Sequence, residues 1–153
     1  MAYDATLGGG GWTVGDIKPP VQGATGFPTA GTAGYPNGAT PVAAASAVGS
    51  NSLVTATLPA VAGKTNYVTH VMYSGLGATA QAQTSLILSG LLGGTINKWI
   101  NVPAGITLVI DDDIIQFNPP IPASAANQAI VATLNAFGAG NVATQCAIYG
   151  YVL

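Results

Sequence analysis

The chain has 153 residues but only eight charged side chains, five acidic and three basic, and a formal net charge of −2. Three lysines without arginine cannot neutralise a path of phosphates, which excludes nucleic-acid binding, and general acid–base catalysis has few side chains to use. Hydrophobic residues make up 49% of the chain. Since so little charge opposes self-association, we expect the protein to function assembled with copies of itself or with another protein.

Residues 1–52 are rich in Gly, Ala, Pro and Thr, and this density of Pro and Gly interrupts helices and strands alike. The run 43–47 is the only helix-favouring stretch, and it is too short to be stable alone. We predict an extended N-terminal arm that orders mainly against a partner, with a disordered tail as the alternative. The apolar side chains spaced along it are Trp12, Ile17, Val21, Phe27 and Tyr35. Of these, Trp12, Ile17, Phe27 and Tyr35 are the predicted partner contacts.

Residues 53–153 consist of short β-type runs separated by turn residues, and we predict a second segment here, a β-sandwich domain. The last run alternates well, with Thr144, Cys146 and Ile148 on one face and Gln145 and Tyr149 on the other. Within 123–134 the residues 130–133 favour a strand over a helix. The eight candidate strands are 53–58, 67–73, 84–88, 95–101, 106–110, 114–117, 128–134 and 142–152. Their number and spacing predict an all-β, two-sheet jelly roll.

The sequence offers few sites for chemistry. Ala62-Gly63-Lys64-Thr65 resembles the end of a phosphate-binding loop, but Leu58 stands where that motif needs a glycine. We therefore interpret it as a hairpin turn. Asp111 and Asp113 are weak candidates for a metal site, against the simpler interpretation of an acidic turn.

Two further groups of side chains have a functional and a structural interpretation. His70 and Cys146 would make a nucleophile–base pair, but both lie in predicted strands, where a lone cysteine is usually buried. Trp99 and the tyrosines would make a sugar-stacking platform, although core packing and interface burial are the simpler uses. The tyrosines concerned are Tyr67, Tyr73, Tyr149 and Tyr151. The sequence predicts no catalytic residue and no cofactor.

Cys146 is the single cysteine, so no intramolecular disulfide is available. The first residues lack the basic and apolar regions of a secretory signal, and no apolar run approaches the roughly 20 residues of a membrane helix. We therefore expect synthesis in the cytoplasm and no membrane partner.

Residues 58–80 and 117–153 resemble small structural proteins of tailed bacteriophages. The shared features are a Leu-Pro-Ala-x-Ala-Gly-Lys-Thr turn, an Asn-Pro-Pro-Ile-Pro-Ala corner, and a Gly-x-Gly-Asn turn before a final Tyr-Gly-Tyr strand. The resemblance implies a non-enzymatic jelly-roll decoration (cement) protein or head-spike component, commonly trimeric, on the outer capsid surface.

Together with the charge scarcity, the resemblance predicts a homotrimer that binds the major capsid protein. The predicted contacts Trp12, Ile17, Phe27 and Tyr35 would then lie against the shell or a sister subunit. The alternative function is another virion component, such as a head or tail fibre or a receptor- or glycan-binding tip.

Overall fold

The computed structural model describes residues 35–153, apart from the side chains of Asp111 and Asp112. Every strand described here belongs to one compact unit, Ala39–Leu153. No helix occurs in residues 35–153. The strands are β1 (Thr40–Ala45), β2 (Val54–Leu58), β3 (Asn66–Leu76), β4 (Ala82–Leu91), β5 (Gly94–Val102), β6 (Val109–Pro122), β7 (Ile130–Leu134) and β8 (Thr144–Val152).

The strands form two four-stranded antiparallel sheets. Sheet A has the order β1-β8-β3-β6, and sheet B has the order β2-β7-β4-β5. Every connection between consecutive strands therefore crosses from one sheet to the other, except the β4–β5 hairpin within sheet B, and this is the jelly-roll connectivity. The predicted fold class is confirmed.

The core lies between the inner faces of the two sheets. Alternate residues of each strand point inward, as the period of two requires. Sheet A contributes Val68, Val71 and Ile148, and sheet B contributes Leu58 and Ile130, all with no exposed surface. Phe137, in the β7–β8 loop, is equally buried and closes one end of this core.

The structure has eight strands, the number predicted, but their bounds differ from the predicted ones. The runs 106–110 and 114–117 are not two strands, because residues 109–122 form the single strand β6 and residues 106–108 belong to the loop before it. An additional strand, β1, lies within the predicted arm. The sandwich thus begins ahead of the predicted boundary at residue 53, since Thr40–Ala45 pairs with β8 from Thr40↔Val152 to Ala45↔Ala147.

The turn at Gly63 and Lys64 is a β-turn but not a hairpin. The Lys64 amide donates to the carbonyl oxygen of Val61 (3.1 Å), and Gly63 has a φ of +71°. The flanking strands do not pair, however, because β2 belongs to sheet B and β3 to sheet A. The turn therefore crosses between the sheets.

A β-bulge in β3 decides which side chains face outward on sheet A. Val68 pairs with Gly150 and His70 with Tyr149, so Thr69 is the extra residue. Beyond the bulge Val71 and Tyr73 point inward, whereas His70 points outward. Without Thr69, the residues of β3 beyond the bulge would exchange their inward and outward positions.

Candidate functional site

Four loops meet at one end of the sandwich, and we call this region the loop end. It comprises the β1–β2, β3–β4, β5–β6 and β7–β8 loops, which are residues 46–53, 77–81, 103–108 and 135–143. Backbone hydrogen bonds join neighbouring loops directly. Gly49 and Thr144 exchange two bonds of 2.8 and 2.9 Å, and the Gly77 amide donates to the carbonyl of Leu108 (2.7 Å). The loop end is therefore a connected surface and not four separate tips.

Asn141 is the side chain that holds several of these loops together. It is only 2% exposed, and its Nδ2 donates to the carbonyl oxygens of Leu76 (2.7 Å) and Ala143 (3.1 Å). Its Oδ1 accepts a hydrogen bond from the backbone N–H of Asn51 (3.2 Å). These hydrogen bonds fix the position of each partner, because leaving a buried donor or acceptor unpaired is costly in free energy.

The loop end presents an apolar surface. Large aliphatic side chains there are between 49% and 66% exposed, and they come from three of the loops and the first residue of β6. They are Val48, Leu53, Ile106, Leu108, Val109 and Val142. The four loops contain no Asp, Glu, Lys, Arg or His. An exposed apolar patch that is free of charge and held on a fixed base is typical of a protein-docking surface.

The outer face of sheet A carries two stacked ring pairs. Tyr67 and Tyr151 have ring centroids 4.8 Å apart, and His70 and Tyr149 have centroids 4.4 Å apart, with the planes within 11° of parallel. Burial, with a contribution from the neighbouring Tyr67, raises the pKa of the Tyr151 hydroxyl. The predicted aromatic platform is therefore built only in part, from three of its tyrosines.

The other two members of that platform lie elsewhere. Trp99 is 63% exposed on the outer face of sheet B, and Tyr73 points inward from sheet A with 5% of its surface exposed. Trp99 is separated from the platform because β3 and β5 lie in different sheets. Tyr73 is separated from it because the bulge at Thr69 puts Tyr73 on the opposite face from Tyr67, and neither feature is visible in the sequence. Around Trp99, sheet B carries mainly hydroxyl and amide side chains, including Asn97 and Asn101 on the same strand.

Asp113 takes part in a polar cluster at the edge of the sandwich. The Tyr73 hydroxyl donates to Asp113 Oδ2 (2.7 Å), and Lys98 Nζ makes an ion pair with the same oxygen. Lys98 also lies 5.5 Å from the centre of the Tyr73 ring. The hydrogen bonds from Lys98 and Tyr73 hold the pKa of the Asp113 carboxyl below its usual value of 3.8, and burial raises the pKa of the Tyr73 hydroxyl.

This cluster bears directly on the predicted metal ligands. Asp113 is already engaged by a cation and a hydroxyl donor. The ion pair with Lys98 joins edge strand β6 of sheet A to edge strand β5 of sheet B, and the hydrogen bond from Tyr73 joins β6 to its neighbour β3 within sheet A. The Asp111 side chain lies outside the described residues. In the described part of the chain, no three His, Cys, Asp or Glu side chains come close enough together to hold a metal ion.

His70 and Cys146 do not meet. Cys146 points into the core with 1% of its surface exposed, whereas His70 stacks on Tyr149 at the outer face of the same sheet. Burial raises the pKa of the Cys146 thiol, and its Sγ contacts the carbonyl oxygen of Ala132 (3.7 Å). Cys146 therefore acts as a small core residue.

Of the predicted arm contacts, Trp12, Ile17 and Phe27 lie outside the described residues, and Tyr35 is half-buried. Sequence reasoning missed the loop end. The sequence feature that could have identified it is the absence of charged residues from all four loops. This feature has meaning only once the jelly-roll connectivity is known to bring those loops together. Asn141 was noted only as part of a turn motif.

Comparison of the chain with protein-family models, curated proteins and solved structures finds no match. Among the residues that the structure describes, no helix has the length and apolar character needed to cross a membrane.

Proposed function

We propose that this chain is a non-enzymatic structural protein of a bacteriophage virion, which binds the outer surface of the capsid as a homotrimer and stabilises it. The observation that carries the proposal is the charge-free loop end, with six exposed aliphatic side chains on a base fixed by Asn141. The resemblance of residues 58–80 and 117–153 to phage head proteins supports the choice of partner, the major capsid protein.

The physical role follows from the chemistry of the surface. Packaged DNA presses the shell outward, and a protein that bridges neighbouring capsid subunits opposes their separation with the apolar area that it buries. Burial of apolar surface contributes about 25 cal/mol per Å² and requires no ion to lose its water. Three copies joined in one trimer would bind with added strength, because each bound copy holds the next close to its own site.

Cosedimentation with capsids purified without this protein tests the proposal. The full-length chain should bind, and it should raise the temperature at which the capsids release DNA. A double variant, Leu108→Asn with Val142→Asn, should bind at least tenfold more weakly, because each change removes on the order of 1 kcal/mol of apolar burial. The matched control is Leu92→Asn, since Leu92 is 61% exposed in the β4–β5 loop, which is not part of the loop end.

Two results would overturn the proposal. One is a wild-type protein that binds no capsid at concentrations of tens of micromolar, a weak affinity for a specific complex. The other is equal loss of binding in the Leu92 variant and the loop-end variant, because binding would then follow general surface hydrophobicity.

A second function, that of a receptor- or glycan-binding tip, is favoured by Trp99. An exposed indole flanked by Asn97 and Asn101 on one strand offers a stacking surface beside amide groups that bond hydroxyls. A glycan array probed with the full-length chain and with Trp99→Ala separates the two functions. Binding that is lost in the variant supports the tip, and the absence of any glycan signal removes it.

A further inference from the structure

The outer face of sheet A differs from an ordinary solvent-facing sheet surface. Its central part consists of Tyr67, His70, Met72, Tyr149 and Tyr151, together with Ile114 on the neighbouring strand. Among the side chains that the structure describes, no Asp, Glu, Lys or Arg belongs to this face. An interface core has this composition, because aromatic residues and Met are enriched there and charged residues are depleted.

The ring pairs on this face are already ordered. Tyr67 stacks on Tyr151 and His70 stacks on Tyr149. The Thr69 hydroxyl donates to the Tyr149 carbonyl (3.1 Å), and its oxygen lies 3.1 Å from Nδ1 of His70. Side chains that are restrained before binding lose little further freedom when a partner covers them, which lowers the entropy cost of association.

The same face has a protruding side chain and a depression. Ile114 is 46% exposed and lies opposite Met72 in the β3–β6 pair. A depression of about 180 Å³ lies between β3 and β8, bordered by Met72, Ser74 and Ala147. Gln145, on its rim, is drawn toward β1 by a hydrogen bond from its Nε2 to the carbonyl oxygen of Ser46 (3.2 Å). The small residues Ser74 and Ala147 therefore leave the depression open.

A second copy of this chain fits this face better than a different partner. The face has both complementary parts, so one copy can insert Ile114 into the depression of the next. A head-to-tail contact of this kind forms a closed ring when the rotation between copies divides a full turn. Neither copy has to bring a described ionic side chain out of water. Four strands of about nine residues cover roughly 19 by 30 Å, an area of the order that a stable interface requires from each partner.

We propose that the outer face of sheet A is the surface through which copies of this chain associate, with Ile114 of one copy entering the depression beside Met72 and Ala147 of the next. The inference rests on the oligomer of the proposed function and assigns a surface to it, separate from the loop end that binds the capsid.

Native mass spectrometry and sedimentation over a range of concentrations test this assignment on the full-length chain. Ile114→Gln and Ala147→Gln should each raise the dissociation constant of the oligomer at least tenfold. Ile87→Gln is the matched control, since Ile87 is a half-buried isoleucine on the outer face of sheet B, and it should leave the oligomer unchanged. Far-ultraviolet circular dichroism and thermal unfolding confirm that each variant is folded.

A cross-linking variant keeps the proposal testable if a substitution impairs folding. Residues 114 and 147 lie two strands apart in sheet A, both in register with Met72. At about 4.8 Å per strand they are too far apart for a disulfide within one copy. The double variant Ile114→Cys with Ala147→Cys should therefore form covalent oligomers on oxidation. Neither single variant should form covalent species larger than a dimer.

Each outcome separates this inference from the proposed function. Oligomers that persist in both Gln variants, a wild-type chain that stays monomeric, or oxidation without covalent oligomers would overturn the assignment. A monomer that still binds capsids would overturn it while leaving the capsid-binding function standing. An oligomer that dissociates as expected but binds no capsid would support this surface and remove the virion function.

Discussion

The inner faces of sheets A and B are built alike, whereas their outer faces carry different chemistry. Inside, both sheets present fully buried aliphatic residues such as Ile148 and Ile130. Outside, sheet A carries stacked tyrosines and a histidine, and sheet B carries threonine, serine and asparagine around one exposed tryptophan. Packing of the core constrains the inner faces, so the outer faces are free to differ, and the proposed assembly would account for the difference between them.

The largest expected effect tests the equivalence of the inner faces. Ile148→Ala in sheet A and Ile130→Ala in sheet B each remove a side chain with no exposed surface. Each should lower the free energy of unfolding by about 2–5 kcal/mol, the cost of lost burial plus a cavity. Urea unfolding followed by fluorescence measures both. A loss confined to one of the two variants would show that the sheets do not share the core equally.

A second prediction concerns the approach of β8 to β3 in sheet A. Gly150 pairs with Val68 beside the bulge, and a Cβ at position 150 would collide with the carbonyl oxygen of the preceding residue, Tyr67. Gly150→Ala should lower the free energy of unfolding by about 1–3 kcal/mol. It should also weaken the near-ultraviolet circular dichroism of the stacked rings.

The control for this variant is Ser89→Ala on the outer face of sheet B, which should change stability by no more than about 0.5 kcal/mol. If Gly150→Ala were equally harmless, the close contact at the bulge would not be needed to hold the outer face of sheet A in place.

A third prediction compares two asparagines that anchor loops to the two sheets. Asn141 bonds the carbonyl at the end of β3 and two neighbouring loop segments, whereas Asn135 donates from Nδ2 to the Ser85 hydroxyl (3.0 Å) on sheet B. Asn141→Ala should cost about 1–3 kcal/mol, because it leaves buried groups unpaired, and Asn135→Ala about 0.5–1.5 kcal/mol.

Hydrogen exchange distinguishes a local effect from a global one. In Asn141→Ala the amides of residues 48–53 should exchange faster at the loop end, whereas the strands of sheet B keep their protection. Equal loosening throughout the sandwich would contradict the anchoring role of Asn141.

Much of the fold could be predicted from the sequence, because burial on one face of a strand leaves a period of two. The alternation of β8 and the β-branched run in β7 predicted those strands correctly. Strand β1 was missed because its Pro-Val-Ala-Ala-Ala sequence has little strand propensity and pairs only because β8 is beside it. The length of β6 was missed because its prolines are tolerated only on an edge strand.

The candidate surfaces were harder to predict, because they depend on which residues become neighbours. The sequence identified Tyr67, His70 and Tyr149, but the Thr69 bulge that turns His70 outward has no clear sequence signal. The loop end is made of segments that are far apart in the chain and ordinary in composition. Only the jelly-roll connectivity turns four uncharged loops into one apolar surface.

The smallest expected effect concerns the one described ion pair that joins the edges of the two sheets, Lys98 with Asp113. Their side chains are 37% and 43% exposed, so solvent screens the pair, and Lys98→Met should cost only about 0.2–1 kcal/mol at pH 7. Chemical unfolding as a function of pH, in low and in high salt, measures this difference.

The sign of the pH dependence follows from the lowered pKa of Asp113, whose usual value is 3.8. The folded state binds this proton less tightly than the unfolded state, so the contribution of the pair is present above about pH 4 and is lost as the pH falls through the folded pKa. Wild type and Lys98→Met should therefore converge in stability as the pH falls below the folded pKa of Asp113. Lys64→Met removes the same charge away from Asp113, and a similar convergence in that variant would assign the effect to net charge instead of to the link between the sheets.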